Sequence, residues 1–370
     1  MPIADLAVEH RMYLPLAAII TLIVILVDHR LRCKISLRPL ISGSLVLATT
    51  LVLIAATVAR NHTYQSDLTL WESVLKVAPD NPRAHCRLGA ILQREGNFKE
   101  AIEHYKQALN IKIDYYEALH NLGLVLVELG RYDEAIGYYN RCLAYIPFFD
   151  RSGYKWGITI LCRNMGIVLE RKNNLREAIG FYQKAVHVTP NHFASRMSLA
   201  SALMAGENPT EAAGHFNEAI KLEPQSVRAN YGLGVSLQRI GKFDEAVGPL
   251  RRALELEQKS VEILFALANT FRKIGQVDDA IVHYQKAVSI APDDLQTRNN
   301  LGTALATQER FDEAIDQLNE ALRIDPDSVE AHFNLGWALR GAGRPDAAQS
   351  HFEAAIRFKP ELKKVLTPSP

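Results

Sequence analysis

Cysteine is scarce. Cys33, Cys86, Cys142 and Cys162 are the only four, they sit far apart, and none forms a CxxC pair. That spacing excludes a zinc site or a disulfide framework and leaves each thiol as a small, incidental residue. Absent too are HExxH, GxSxG, a phosphate-binding Gly-rich loop and a dinucleotide fingerprint. The twelve histidines include no i, i+4 pair. No catalytic residue, metal or cofactor is expected from these features. Neither sign of charge dominates, with 42 Lys and Arg against 41 Asp and Glu. No basic face stands out, so nucleic acid is not an expected partner.

Long apolar runs are confined to the first 60 residues. Residues 12–27 and 40–59 carry no charge. At about 1.5 Å per helical residue, the second run is long enough for a hydrocarbon core of about 30 Å, and the first falls short by a turn. Two membrane helices and an anchor over 1–60 are therefore expected. The loop 28–39 holds Arg30, Arg32, Lys34 and Arg38, whereas the outer flanks offer Arg11 and Arg60. By the positive-inside tendency the loop faces the cytoplasm and everything after residue 60 lies outside it, in a periplasm or an ER lumen. Asn61-His62-Thr63 would then be a glycosylation acceptor.

What the sequence has in abundance is repetition. An alanine recurs at Ala101, Ala135, Ala178, Ala212, Ala246, Ala280, Ala314 and Ala348, at steps of 34 apart from one of 43. Twelve residues ahead of each stands Gly89, Gly123, Gly166, Ala200, Gly234, Ala268, Gly302 or Gly336; seven after it stands Ala108, Cys142, Ala185, Ala219, Ala253, Ala287, Ala321 or Ala355. Six units close with a proline: Pro147, Pro190, Pro224, Pro292, Pro326 and Pro360. The spacing predicts two amphipathic helices per unit, crossing closely where the small residues lie. Glycines at 96, 130, 241, 275 and 343 make the turn. One such unit cannot bury its own apolar face and must stack on its neighbours.

This pattern resembles the tetratricopeptide repeat over residues 82–362. The resemblance implies an all-α, right-handed superhelical solenoid of eight repeats, preceded here by a half-repeat in 61–81 and followed by a tail, 363–370. "DLTLWESVLKVAPDNP" places Trp71, Val74 and Pro79 where a second helix is expected. Its companion would be the end of the second apolar run, around residues 54–58. Residues 150–158 are an insertion, either a lengthened first helix or loop, or a partner-contacting edge. In the second case Tyr145, Phe148, Phe149, Tyr154 and Trp156 would form an aromatic lip.

Adjacent acids at Asp133-Glu134, Asp244-Glu245, Asp278-Asp279 and Asp312-Glu313 always fall in the first turn of the second helix, where they suit the helix dipole. Nothing there argues for catalysis. The expected functional surface is a concave groove lined by first helices, with His120, Asn121, Arg163, Asn164, Tyr231, Arg239, Phe265, Asn269, Arg272, Asn300, Asn334 and Trp337 facing it. Asn121, Asn164, Asn300 and Asn334 share one repeat position. An amide ladder hydrogen-bonds any peptide backbone, because it both donates and accepts; asparagine is also ordinary at that position. The carboxylate clamp of chaperone-binding repeats is absent, its first positions being Cys86 and Ala90.

The stretches "EHRMYLPLAAII" (9–20) and "RNHTYQSDLTLWESVLKVAPDNPRAH" (60–85) resemble the end of the membrane domain in transmembrane and tetratricopeptide-repeat protein O-mannosyltransferases. Such proteins transfer mannose from a lipid-linked donor to protein hydroxyls, with catalytic residues among earlier membrane helices. No catalytic residue maps onto this chain. The resemblance implies either a membrane-anchored scaffold binding extracytoplasmic polypeptides, or the acceptor-binding portion of a transferase that meets lipid-linked sugar only through a domain not present here.

Overall fold

The computed structural model describes residue 48 and residues 67–145 and 151–362, with the side chains of 151–154 set aside. Seventeen α-helices and one short 3-10 turn at Pro360–Leu362 make up the described elements. The chain divides into two compact units, Met1–Tyr145 and Ile146–Pro370.

In the first unit, α1 (Asp67–Val77) is followed by the pairs α2 (Pro82–Arg94) with α3 (Phe98–Ile111) and α4 (Tyr116–Glu128) with α5 (Tyr132–Tyr145). The second unit opens on α6 (Arg151–Arg171) and α7 (Leu175–Val188). There follow α8 (Phe193–Ala205), α9 (Pro209–Leu222), α10 (Val227–Arg239), α11 (Phe243–Leu256), α12 (Val261–Lys273) and α13 (Val277–Ile290). It ends on α14 (Leu295–Thr307), α15 (Phe311–Ile324), α16 (Val329–Gly341) and α17 (Pro345–Phe358). Within each unit every helix packs on the next in sequence.

Small residues set the helix crossings. A Cβ at Gly89 would lie 2.8 Å from the Tyr105 ring, and one at Gly336 would lie 2.5 Å from Phe352. Gly123 and Gly166 are equally tight against Tyr139 and Tyr182, and Gly234 and Gly302 against Leu250 and Leu318. The large residue four after each repeat alanine thus fills the space the missing side chain leaves, and the alanines themselves are fully buried. At these six glycines an added methyl would force the facing ring or leucine to shift, whereas Ala200 and Ala268 carry one at the same repeat position.

The turn inside each pair needs one left-handed residue. Gly96, Gly130, Gly241, Gly275 and Gly343 supply it with φ between 73° and 81°. Asn173, Glu207 and Glu309 take the same conformation at 58–59°, which the glycine pattern alone does not reveal. Five first helices start on capping side groups: the Asn81 carboxamide oxygen accepts from the Arg83 and Ala84 amides at 3.0 and 3.1 Å. Ser226, Ser260, Asp294 and Ser328 do the same work further on.

The insertion at 150–158 is a lengthened first helix: α6 has 21 residues, where the other first helices have 13. Thr159 Oγ1 lies 2.9 Å from the Lys155 carbonyl and 2.7 Å from Thr189 Oγ1, tying the helix to the end of α7. α1 covers Trp71 and Val74 of the expected half-repeat; its expected companion around 54–58 lies outside the described residues.

The membrane architecture, and the extracytoplasmic placement built on it, are corrected. No helix among the described residues is long and apolar enough to cross a membrane. α6 has the length, but Arg151, Lys155, Arg163, Glu170 and Arg171 break its apolar character. The two apolar runs, 12–27 and 40–59, lie outside the described residues except for Ala48.

Candidate functional site

The expected groove residues fall on first helices in both units. In the first unit, His120 and Asn121 sit on α4. The His120 ring stacks on Tyr116 at 6.1 Å and leans on Tyr139 at 6.3 Å, so it belongs more to the packing than to an open surface. Burial holds its pKa below the usual imidazole value, against the opposing pull of Asn121. Asn121 lines a cleft of about 880 Å³ together with Leu70 and Trp71 of α1, Arg87 and Arg94 of α2, and Glu128 of α4. Arg87 and Arg94 make no hydrogen bond or ion pair among the described residues.

In the second unit the polar residues reach from one first helix to the next. Arg163 Nε donates to Ser198 Oγ at 3.1 Å, and an Arg239 terminal nitrogen to the Met204 carbonyl at 3.1 Å. Gln238 Nε2 donates to the Ala266 carbonyl at 2.7 Å. Asn300 Nδ2 donates to Asn269 Oδ1 at 3.2 Å, and Asn334 Nδ2 to Asn299 Oδ1 at 2.9 Å. Two of the four ladder asparagines therefore bridge neighbouring repeats through their N–H groups. The partners they meet are Asn269 and Asn299, not other members of the ladder. Asn164 lies on α6, and Asn121 belongs to the first unit.

Tyr231 and Phe265 are half-buried against the core of the second unit. Trp337 is 45 % exposed, with its edge to Phe352 at 5.7 Å and the Arg340 guanidinium 5.6 Å above its ring. It lines a cleft of about 510 Å³ with Thr303, Thr307, Phe311 and Asn334. Of the lip, Tyr145 and Trp156 are exposed, and Trp156 meets His192 edge-on at 4.8 Å. Phe148 and Phe149 and the side chain of Tyr154 lie outside the described residues.

Sequence reading missed a second polar register, four residues before the small residue in the repeats that carry His85, Arg196, Arg298 and His332. His85 and His332 place Nε2 3.0 and 2.9 Å from the Pro79 and Pro326 carbonyls, and Nδ1 3.0 Å from Nδ1 of His104 and His351. Arg196 and Arg298 reach the Pro190 and Pro292 carbonyls at 2.6 Å, and touch His215 and Gln317. The partners are always 19 residues apart, a spacing visible in the sequence once the helix crossing is known. These braces hold first helix, second helix and entering loop together, and so fix how the first-helix face is presented.

The buried thiols are inert. Burial pushes both Cys86 and Cys142 up to about 12. The acid pairs serve helix starts: Arg131 grips Glu134 with two nitrogens at 2.6 and 2.7 Å.

Two tetratricopeptide-repeat family models match, one over residues 80–147 and 260–327, the other over 163–227, 198–256 and 299–362. No curated protein matches the chain. The fold is similar to the C-terminal part of a TPR repeat-containing protein from Cytophaga hutchinsonii. That likeness has 18 % identity and a TM-score of 0.57, covering 68 % of this chain and 99 % of that one. YrrB, described as a TPR protein with an unusual peptide-binding site, shares 22 % identity over 48 % of this chain and 92 % of its own, with a TM-score of 0.44. MamA from Desulfovibrio magneticus RS-1 shares 21 % over 46 % and 96 %, also at 0.44. Nothing in these matches supports the O-mannosyltransferase resemblance, whose carrying segments lie mostly before the first matched residue. With repeat matches running through nearly all of residues 80–362 and helix pairs at each, the chain is a tetratricopeptide-repeat protein.

Proposed function

We propose that the protein is a scaffold that binds polypeptide segments on the first-helix faces of its repeats. The observation that carries this reading is a pair of clefts, one where the first helices α2 and α4 meet α1, the other between the first helices α14 and α16 at the start of α15. Each combines amide or guanidinium donors with an accessible aromatic: Asn121, Arg87 and Trp71 in one, Asn334, Arg340 and Trp337 in the other. An extended polypeptide needs both kinds of group, polar partners for its backbone and an apolar seat for a side chain.

Photo-crosslinking tests it. A photoreactive phenylalanine replacing Trp337 should cross-link to bound polypeptide, and Trp337→Ala should weaken binding by about tenfold, as for an aromatic anchor. The same probe at Val282, exposed on a second helix, serves as the comparison. Cross-linking from 282 and not from 337 would place binding on the wrong face and sink the proposal.

A further inference from the structure

Two pairs of imidazole rings meet nitrogen to nitrogen, one pair in each unit. His85 on α2 and His104 on α3 hold Nδ1 against Nδ1 at 3.0 Å, with ring centroids 5.3 Å apart. His332 on α16 and His351 on α17 repeat the arrangement at 3.0 Å and 5.2 Å. In each pair the first ring is oriented from behind. Its Nε2 lies 3.0 or 2.9 Å from the Pro79 or Pro326 carbonyl oxygen, which can only accept. Nε2 therefore carries the proton, and in the neutral ring Nδ1 is a bare lone pair facing the second histidine. Metal-ligating histidines are set up in this way, with the far N–H on a backbone carbonyl and the near nitrogen free to coordinate. Burial, and after it the partner ring, keeps His104 and His351 below the ordinary imidazole value, which favours the neutral, ligating form.

The separation suits one ion shared by two rings. With metal–nitrogen bonds of about 2.0–2.1 Å, two nitrogens on one ion stand about 2.9 Å apart at a right angle and about 3.3 Å apart at the tetrahedral angle. Putting an ion in place of the shared proton asks the rings to swing until both lone pairs converge on it, a soft motion for the last torsion of histidine. No group of three or more His, Cys, Asp or Glu is gathered for a metal among the described residues, so water would fill the remaining positions. At the first pair, the charges of Glu100 on α3 and Glu72 on α1 act on His104 in the sense that favours a cation. At the second, the residue matching Glu100 is Ala347. Where the same register holds an arginine, as in Arg196–His215 and Arg298–Gln317, no two rings meet.

We infer that His85 with His104, and His332 with His351, are two chelating sites for a divalent transition-metal ion of the kind imidazole prefers, Zn2+, Ni2+ or Cu2+. Neither site depends on polypeptide binding. An ion at either one ties first helix, second helix and entering loop together by coordination; without metal, the two rings share one proton and remain the braces described above. Metal-site motifs in sequence miss such a pair, because its ligands are 19 residues apart and lie on different helices.

The test is zinc uptake by the full-length protein after treatment with a chelator, measured by equilibrium dialysis near neutral pH against the double variant His85→Arg with His332→Arg. Arginine at these positions copies Arg196 and Arg298, which keep the contact to the proline carbonyl, so helicity and metal-free melting temperature should be retained. The unaltered protein should take up two more Zn2+ per chain than the double variant, and each single variant one more. His104→Gln and His351→Gln, which copy Gln317 and add no charge, should each cost one Zn2+ as well, and they decide the outcome where an arginine variant fails to fold. Zinc should also raise the melting temperature of the unaltered protein and leave that of the double variant unmoved, since an ion that binds only the folded chain stabilises it. Equal uptake by the unaltered protein and the double variant would mean adventitious binding at other side chains and overturns both sites. Loss of uptake confined to the variants of one pair upholds the site at that pair and overturns it at the other.

Discussion

Four tyrosines occupy one repeat position, each packed under a small residue of the first helix, and their hydroxyls have different fates. Tyr105 donates to Gln93 Oε1 at 2.9 Å, Tyr182 to Glu170 and Tyr284 to Asn269. In the first and second cases the acceptor lies twelve residues earlier. For Tyr139 that residue is Val127, which accepts nothing, and the Tyr139 hydroxyl is buried without a partner. The ring is needed to fill the space at Gly123; the oxygen is not. Tyr139→Phe removes an unsatisfied polar atom and should leave stability unchanged or raise it by up to about 1 kcal/mol. Tyr105→Phe should lower it by about 1 kcal/mol, because a satisfied hydrogen bond is lost. Urea midpoints at constant slope decide it, and a clear loss from Tyr139→Phe would contradict the burial argument. This contrast is legible in the sequence once the register is known, since position and partner are both set by the 34-residue period.

Among the helices, α11 carries a residue that its repeat does not want. Pro249 stands seven residues into Phe243–Leu256, where it removes the amide that would bond the Glu245 carbonyl and presses its ring on that turn. In four other repeats the equivalent residue, His104, His215, Gln317 or His351, braces the first helix; Tyr138, Phe181 and His283 hold the position in the remaining three. Facing Pro249 in register, Asn230 turns back to its own loop, donating to the Ser226 and Pro224 carbonyls at 2.9 and 3.3 Å. Pro249→Gln should restore a helix hydrogen bond and stabilise the protein by about 1–3 kcal/mol, read by calorimetry or urea unfolding. A loss of stability would mean that the proline ring's packing outweighs the missing bond. The helices themselves are readable from sequence, because alanine, glycine and proline recur at positions where only small or helix-breaking residues fit. The braces are not, because a contact between residues 19 apart depends on a crossing angle that periodicity does not specify. Repeat register likewise assigns Asn300 and Asn334 to first helices. That they spend their N–H groups on Asn269 and Asn299 follows only from the placement of the amides.

For the whole molecule, hydropathy suggests an anchor and a direction, and neither is carried by any helix of the described residues. Apolar run length fixes how far a helix would reach, whereas the repeats are fixed by residues that must touch. The histidines spread through both units give the protein as a whole a predictable response to acid. Five have pKa values held below the ordinary imidazole value, and burial is the leading cause for each. Around His104 the neighbouring His85 adds to the depression, while Glu100 on its own helix and Glu72 on α1 oppose it. Arg196 adds to it at His215, opposed by Glu211 and Glu218; Arg163 adds to it at His192, and His332 at His351. A lowered folded pKa means that the unfolded protein binds protons first. The stabilisation is therefore complete above the unfolded value of about 6.5 and is lost as pH falls through that value toward the folded ones. The paired rings reinforce the direction, since protonating both members of His85–His104 or His332–His351 sets two Nδ1–H donors face to face at 3.0 Å. The surface carboxylates act in a lower window: Glu134, Glu313 and Glu320 are held below the usual carboxylate range by hydrogen bonds to Arg131, Arg310 and Arg323, so their contribution fades only at more acidic pH. Urea midpoints should thus stay level from about pH 8 to 7 and fall between about 6.5 and 5. The double variant His104→Gln with His351→Gln, which copies the glutamine found at the same position in Gln317, should flatten that fall. A midpoint that stays level down to about pH 5 in the unaltered protein would show that the rings are as easily protonated folded as unfolded, and that the braces tolerate the charge.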